Sequence, residues 1–308
     1  MNKITIVGAG RVGESAAHNL AKAELCREVV LIDIKEGIAQ GTALDIQESA
    51  PIFHFDTTLA GTNDLHAMAG SELVIITAGV PRKPGMSRSD VLDTNLAVVY
   101  EIVDMLLKTA PNAMLLVVSN PVDVLTYAAW KRTGWPRHRV FGMAGVLDSA
   151  RMASFVAMET GFSVRDITAM VLGGHGDTMV PMTRFTCING IPIEHFLTKE
   201  QIRKIVERTR GGGAEILSLR KTASAYDAPA AAIAAMVDSI SHNRRHILPG
   251  VAVLQGEYGL HDISMGVPVV FGENGVEQVI ELPLTPEESA EFMRSAAMVQ
   301  ADLDHLKK

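Results

Sequence analysis

Three glycines at fixed spacing, Gly8-Ala9-Gly10-Arg11-Val12-Gly13, follow directly on the run Ile4-Thr5-Ile6-Val7 and open an amphipathic stretch, Val12–Ala23. Few folds accept a strand, a glycine turn and a helix in that order. Gly8 permits the tight turn, Gly10 lets backbone approach a pyrophosphate, and Gly13 lets the helix pack close to the sheet. The helix N-terminus adds unpaired N–H groups and a partial positive charge. Asp33 closes the next strand-like run, Val29–Ile32, 20 residues past Gly13 (33 − 13). A carboxylate there accepts ribose hydroxyls and repels a 2′-phosphate, so the motif predicts NAD over NADP.

The same alternation continues. Leu73–Ile76, Leu115–Val118 and Val140–Phe141 read as strands, apolar on both sides as in a parallel sheet covered by helices. Gly37–Glu48, Val91–Thr109 and Val122–Thr133 read as the helices between them. The fold class is therefore α/β, with an N-terminal doubly wound (Rossmann) parallel sheet over residues 1–145. The pattern changes after Gly145, and residues 146–308 read as a mixed α+β substrate domain. Ser149–Thr160, Lys199–Leu219 and Pro229–His242 are helical, and Thr178–Ile193 holds short strands with a hairpin turn at Asn189-Gly190. Ile247–Tyr258 and Val267–Val279 read as antiparallel strands, with Asn274-Gly275 as a second hairpin turn. Pro286–Leu306 forms a final helix with Thr285 as N-cap. Without repeats or a low-complexity linker, the halves are expected to share a broad interface. Gly211-Gly212-Gly213 interrupts a helical stretch and points to a bend or a close interdomain approach.

Composition narrows the function. A net charge of −7 over 308 residues argues against a nucleic-acid partner, which needs a basic face. Two cysteines, Cys26 and Cys187, form neither a disulfide framework nor a zinc pattern, so a reducing cytoplasmic location and no metal are expected. The N-terminus enters a strand without an apolar leader, and the apolar stretch Ala228–Val237 contains Pro229 and is too short for a bilayer, so no membrane partner is expected.

Four further segments carry chemistry. Thr77-Ala78-Gly79 follows the strand Leu73–Ile76, at the carboxyl edge where nucleotide folds place ligands. Pro81–Ser89 is polar and holds Arg82, Gly85 and Arg88, which suits a lid, although read alone it equally suits an ordinary solvated loop. Asn120, before Pro121, either contacts ligand or starts the next helix as an Asx-turn. Asp148 and Arg151 lie three apart on one helix face, where a guanidinium can clamp a carboxylate bidentately or simply pair with its neighbour. His175, in Gly173-Gly174-His175-Gly176-Asp177, is an accessible imidazole suited to take a hydroxyl proton, with Asp148 or Asp177 to fix its tautomer.

These segments, in this order and over the whole chain, resemble the lactate/malate dehydrogenase superfamily, most closely the bacterial malate dehydrogenases that look like lactate dehydrogenases in overall sequence. The matching stretches are the glycine loop with Asp33, Thr77-Ala78-Gly79, the Arg82–Arg88 loop, Ser119-Asn120-Pro121, Leu147-Asp148-Ser149-Ala150-Arg151 and Gly174-His175-Gly176-Asp177. The resemblance implies reversible NAD-dependent oxidation of (S)-malate to oxaloacetate by a homodimer or homotetramer. It casts His175 as proton acceptor, Asp148 as its orienting carboxylate, Arg151 as the grip on the C1 carboxylate and Arg88 as polariser of the reacting carbonyl. It puts Asn120 against substrate and cofactor, and Ser224 near the substrate side chain. The cofactor contacts it implies are Gly8, Gly10, Arg11, Val12, Gly13, Asp33, Thr77, Ala78, Gly79, Asn95, Val118 and Asn120.

Arg82 falls where lactate enzymes commonly carry Gln and malate enzymes Arg. The physics agrees: oxaloacetate has a second carboxylate where pyruvate has a methyl, and a buried pair broken on one side costs about 3–5 kcal/mol. The readings that compete are a lactate or broader 2-hydroxyacid dehydrogenase, a non-catalytic NAD-binding sensor, and an NAD-dependent glycosidase, which would need a metal. A sensor has no reason to hold both His175 and Arg151.

Overall fold

The computed structural model of the chain describes residues 1–80 and 88–306. In order, the first half holds β1 (Lys3–Val7), α1 (Arg11–Lys22), β2 (Glu28–Ile32), α2 (Ile38–Glu48), α3 (Ala50–Phe53), β3 (Thr58–Thr62), β4 (Leu73–Ile76), α4 (Arg88–Thr109), β5 (Met114–Val117), α5 (Val122–Thr133) and β6 (Val140–Gly142). The second half holds α6 (Gly145–Thr160), β7 (Ile167–Thr168), β8 (Val171–Leu172), β9 (Val180–Pro181), β10 (Cys187–Ile188), β11 (Ile191–Pro192), α7 (Lys199–Arg220), α8 (Asp227–Ser241), β12 (His246–Gln255), β13 (His261–Gly272), β14 (Gly275–Val279) and α9 (Pro286–Leu306).

The strands β3-β2-β1-β4-β5-β6 lie side by side and run parallel. Their order reverses between β1 and β4, and the carboxyl ends of strands at such a switch point are where open α/β sheets place their ligands. β1, β4 and β5 are buried along nearly their whole length, in keeping with their continuous apolar sequence. β3 has no counterpart in the sequence reading. It is an edge strand, half exposed, and its Thr-Leu-Ala-Gly-Thr lacks the two-sided apolar run that marks a covered strand.

The sheet does not stop at β6. β12 joins it antiparallel through Val251 opposite Gly142, and β13 and β14 extend it to nine strands. This continuity satisfies the edge that β6 would otherwise expose. One large core accordingly runs through both halves, from Ile4 and Leu73 to Ile233 and Phe271. A smaller core gathers Met152, Val156, Ile188 and Ile205 under α6 and α7.

Local signals located most termini. Thr285 and Glu288 exchange hydrogen bonds between each side chain and the other's backbone N–H, at 3.2 and 2.8 Å, so Thr285 does cap α9. Asn189 and Gly190 both take positive φ (47° and 79°), as a two-residue hairpin turn requires. The second hairpin is displaced by one residue: Gly272 pairs with Gly275, so Glu273-Asn274 forms the turn and Gly275 re-enters the strand. α4 and α6 each start earlier than their sequence patterns suggest, at Arg88 rather than Val91 and at Gly145 rather than Ser149. In α6 the extra turn packs against β12, where a Cβ on Gly145 would come within 2.7 Å of Pro249. β13 begins at His261, six residues before the expected Val267 (267 − 261), because its partner β12 extends equally far.

Candidate active site

The glycine loop follows β1. Gly8 has φ +111°, and a Cβ there would lie 2.5 Å from the Ala78 amide nitrogen, so only glycine fits. A Cβ on Gly13 would lie 1.9 Å from the Gly8 carbonyl oxygen, which is the close helix–turn contact expected of that position. In front of Gly10 there is open space instead. Thr77 and Ala78 support the turn from β4. The Thr77 hydroxyl donates to the Gly8 carbonyl at 2.8 Å, and both amides donate to the Val7 carbonyl. Asp33, at the end of β2, accepts the Ala9 amide at 2.9 Å and the Lys35 amide at 3.0 Å. A cradle with space before Gly10 and a half-buried carboxylate beside it fits the pyrophosphate and adenosine ribose of a dinucleotide.

Asn95 lies behind this edge, on α4. Its Oδ1 accepts the Val80 amide at 2.7 Å and its Nδ2 donates to the Asn120 carbonyl at 2.7 Å. The buried amide thus ties the loop after β4 to the loop after β5, where Val118 is buried and Asn120 exposed. Gly79 faces Asn95. Arg11, the first residue of α1, is exposed and reaches across to the Tyr226 ring, 5.7 Å from its centroid, while Arg220 stacks on the same ring at 4.1 Å. Val12 is half-buried against the core. Ser224 sits in the α7–α8 connection that carries Tyr226.

The chemistry-bearing groups meet where α6 faces the turn between β8 and β9. Asp148, only 1% exposed, accepts from both neighbours. Its Oδ2 is 2.8 Å from His175 Nδ1 and its Oδ1 is 3.0 Å from Arg151 Nη1. The alternative partner, Asp177, is exposed in the turn. Asp148 thereby engages Nδ1, so Nε2 is the ring nitrogen left for other partners. Burial lowers the proton affinity of His175, but the charge and hydrogen bond of Asp148, helped by Asp123, outweigh it and hold the affinity above the usual histidine value.

Two residues beyond the predicted set shape this cluster. Asp123 in the first turn of α5 accepts the His175 amide through Oδ2 at 2.8 Å. Burial, opposed by His175 and reinforced by Asp148, pushes its carboxyl up to about 6. Its signal in the sequence is a lone carboxylate in Val122-Asp123-Val124-Leu125, an otherwise apolar helix start. Gly212 gives the middle position of the glycine run in α7 a packing role. A Cβ there would sit 3.2 Å from Arg151 Cδ, so the missing side chain makes room for the arginine stem where α7 crosses α6. Arg82 lies outside the described residues, and so does the side chain of Arg88, whose backbone opens α4.

Comparison with known proteins agrees with this geometry. Residues 2–142 match the family model for the lactate/malate dehydrogenase NAD binding domain, and residues 145–308 match the model for the lactate/malate dehydrogenase alpha/beta C-terminal domain. The malate dehydrogenase of Thioalkalivibrio sulfidiphilus is 67% identical over 307 residues, covering 100% of both chains. That of Nitrosococcus oceani is 62% identical over 100% of this chain and 99% of its own. The solved malate dehydrogenase of Salinibacter ruber superposes with a TM-score of 0.95 at 46% identity, covering 99% of this chain and 97% of that one. A lactate dehydrogenase of Cryptosporidium parvum, complexed with lactic acid and nicotinamide adenine dinucleotide, reaches the same TM-score of 0.95 at 39% identity over 100% and 98% of the two chains. Glycine cradle, Asp148–His175 pair and full-length similarity converge: this chain belongs to the lactate/malate dehydrogenase family.

Proposed function

We propose that this protein is an NAD-dependent malate dehydrogenase, interconverting (S)-malate and oxaloacetate. The observation that carries the reading is Asp148 holding His175 Nδ1 and Arg151 Nη1 at once. One buried carboxylate thereby sets a proton acceptor beside a carboxylate-binding guanidinium. When bound along Gly8, Gly10, Gly13 and Asp33, NAD supplies the hydride acceptor. The chain supplies alignment and proton transfer. Arg151 grips the C1 carboxylate and Arg82 the C4 carboxylate, Arg88 polarises the reacting carbonyl, and Asn120 contacts substrate and cofactor. His175 Nε2 takes the hydroxyl proton as C2 loses hydride, and the imidazolium formed is stabilised by Asp148. In the opposite direction the imidazolium returns that proton to the carbonyl oxygen. Asn95 contributes from behind, keeping Val80 and Asn120 in register for the ligand.

The division at residue 145 into a cofactor-binding and a substrate-binding domain is part of this reading, with the shared sheet holding the two in fixed relation. So is a cytoplasmic, homo-oligomeric state: both cysteines are free, and α2–α3 leaves Leu44, Ile52 and Phe53 exposed.

Oxidation of NADH and NADPH with oxaloacetate and with pyruvate tests the proposal directly. NADH with oxaloacetate is expected to exceed every other combination in kcat/KM by about two powers of ten. Equal or better turnover of pyruvate would make the protein a lactate or general 2-hydroxyacid dehydrogenase.

A further inference from the structure

Asp148 is not the only carboxylate that the fold commits to His175. Asp123 approaches from α5, on the backbone side of the residue, and is 5% exposed. Its Oδ2 accepts the His175 amide, and its own carbonyl accepts the Ser264 hydroxyl from β13. Its Oδ1 is buried among the described residues without a hydrogen-bond partner. Accepting one amide proton needs no charge; a neutral asparagine would do it and would avoid burying an ionised oxygen unpaired. The feature that distinguishes Asp123 from such a residue is its charge.

We propose that Asp123 is a positioning residue of the acid–base assembly: it holds the His175 backbone in its turn, and its negative charge helps keep the imidazole protonated. This rests on the reading of His175 as the proton-transfer group. The titratable groups facing Asp123 are His175 and Asp148, with Arg151 beyond Asp148 at 3.0 Å. Nearby hydroxyls are Ser264 on β13, which donates to the Asp123 carbonyl, and Ser295 on α9, which accepts the Gly174 amide next to His175 at 2.8 Å. Burial pushes Asp123 up to about 6, and Asp148 and Asp123 raise His175 above its usual value. On this proposal, with Asp123 Oδ2 on the His175 amide at 2.8 Å, the carboxyl and the imidazole titrate as a coupled pair. Proton uptake by the imidazole favours ionised Asp123, and loss of that proton releases the carboxylate toward its neutral form.

The test uses the full-length protein with Asp123→Asn and Asp123→Glu. Asparagine keeps an acceptor for the His175 amide and removes the charge. Oxaloacetate reduction requires the imidazolium, so kcat/KM falls as pH rises through the imidazole midpoint. Without the Asp123 charge that fall moves to lower pH. The ratio of Asp123→Asn to wild-type kcat/KM is then expected to be about threefold lower near pH 8 than near pH 6. Malate oxidation, which requires the neutral imidazole, shifts in the opposite sense, with the variant relatively better at the acid end. Asp123→Glu retains the charge but displaces the amide contact, so its kcat drops with a ratio flat in pH. An independent readout is the nitrogen-15 NMR titration of the His175 imidazole in cofactor-free protein, identified by its loss in His175→Asn. Wild type is expected to titrate in two coupled steps and Asp123→Asn in one. If the asparagine variant does not fold, the wild-type curve decides alone. A flat activity ratio for Asp123→Asn or a single-step wild-type curve overturns the role of Asp123. Undiminished turnover by His175→Asn overturns instead the acid–base reading beneath it.

Discussion

At the scale of single residues, the site depends on charges that are paired before substrate arrives. Asp148 neutralises part of Arg151 and is ready for the imidazolium of His175, so neither cation is stranded in a buried place. In the proposed function, the selectivity for a four-carbon diacid is assigned to Arg82. Arg82→Gln is expected to lower kcat/KM for oxaloacetate about 100-fold, since a buried carboxylate would lose its partner. NADH affinity should hardly change and relative activity on pyruvate should rise. Steady-state kinetics with both keto acids, alongside NADH titration by fluorescence, measure this. An unaltered preference would remove Arg82 from the specificity role. His175, Asp148 and Arg151 were all legible as residue types at the right spacing. Asp123 was not, because a lone acid in an apolar helix reads as a first-turn dipole partner until the fold brings the His175 amide to it.

At the scale of elements, the crossing of α6 and α7 decides whether Arg151 is aimed. Gly212 faces its stem at 3.2 Å, whereas nothing lies within 4 Å of a Cβ on Gly211. Gly212→Val is therefore expected to push the Arg151 stem aside and raise KM for oxaloacetate about tenfold or more, through misalignment of a bidentate contact. NADH binding should remain as in wild type. Gly211→Ala, in the same helix, should leave kinetics unchanged and raise thermal stability by roughly 0.5–1 kcal/mol, the helix propensity gained. Kinetics and melting curves of the two variants separate these outcomes; equal KM values for Gly212→Val and wild type would show that α7 does not set the arginine. The sequence located the glycine run but not its use. The three glycines pointed to a bend or a close interdomain approach; α7 instead runs unbroken from Lys199 to Arg220, and the close approach is to α6 within the same half. Helix starts were similarly displaced in α4 and α6, where packing overrides local propensity.

At the scale of the whole molecule, the two halves are built around one sheet. β12 continues from β6, and α8 packs on α1, with the Ser241 hydroxyl donating to the Leu25 carbonyl at 2.6 Å. Arg11, Tyr226 and Arg220 bring the cofactor loop against the α7–α8 connection. These contacts stabilise the relative placement of glycine cradle and His175 turn, on which hydride transfer depends. The same architecture leaves α2–α3 with apolar side chains outward, Ile52 being 75% exposed. Light scattering is expected to give a mass at least twice the 33.1 kDa of one chain. Ile52→Glu is expected to weaken that association, by burying an unpaired charge in the contact. A monomer in the unmodified protein would contradict this.

The sequence by itself determined the cofactor cradle, the alternation of strands and helices behind it, and the residue types that meet around Asp148. Each of these is written in short-range spacing, where glycine sterics, apolar periodicity and capping act over a few residues. Local spacing left both Asp148 and Asp177 open as the partner of His175; the family resemblance implied Asp148, and the structure has that contact. The tertiary structure alone decided the rest: that Asp123 reaches the His175 backbone, that Gly212 clears the path of Arg151, and that one sheet spans both halves. These pairings join residues up to a hundred positions apart or more, and their energies depend on burial and distance that no local pattern encodes.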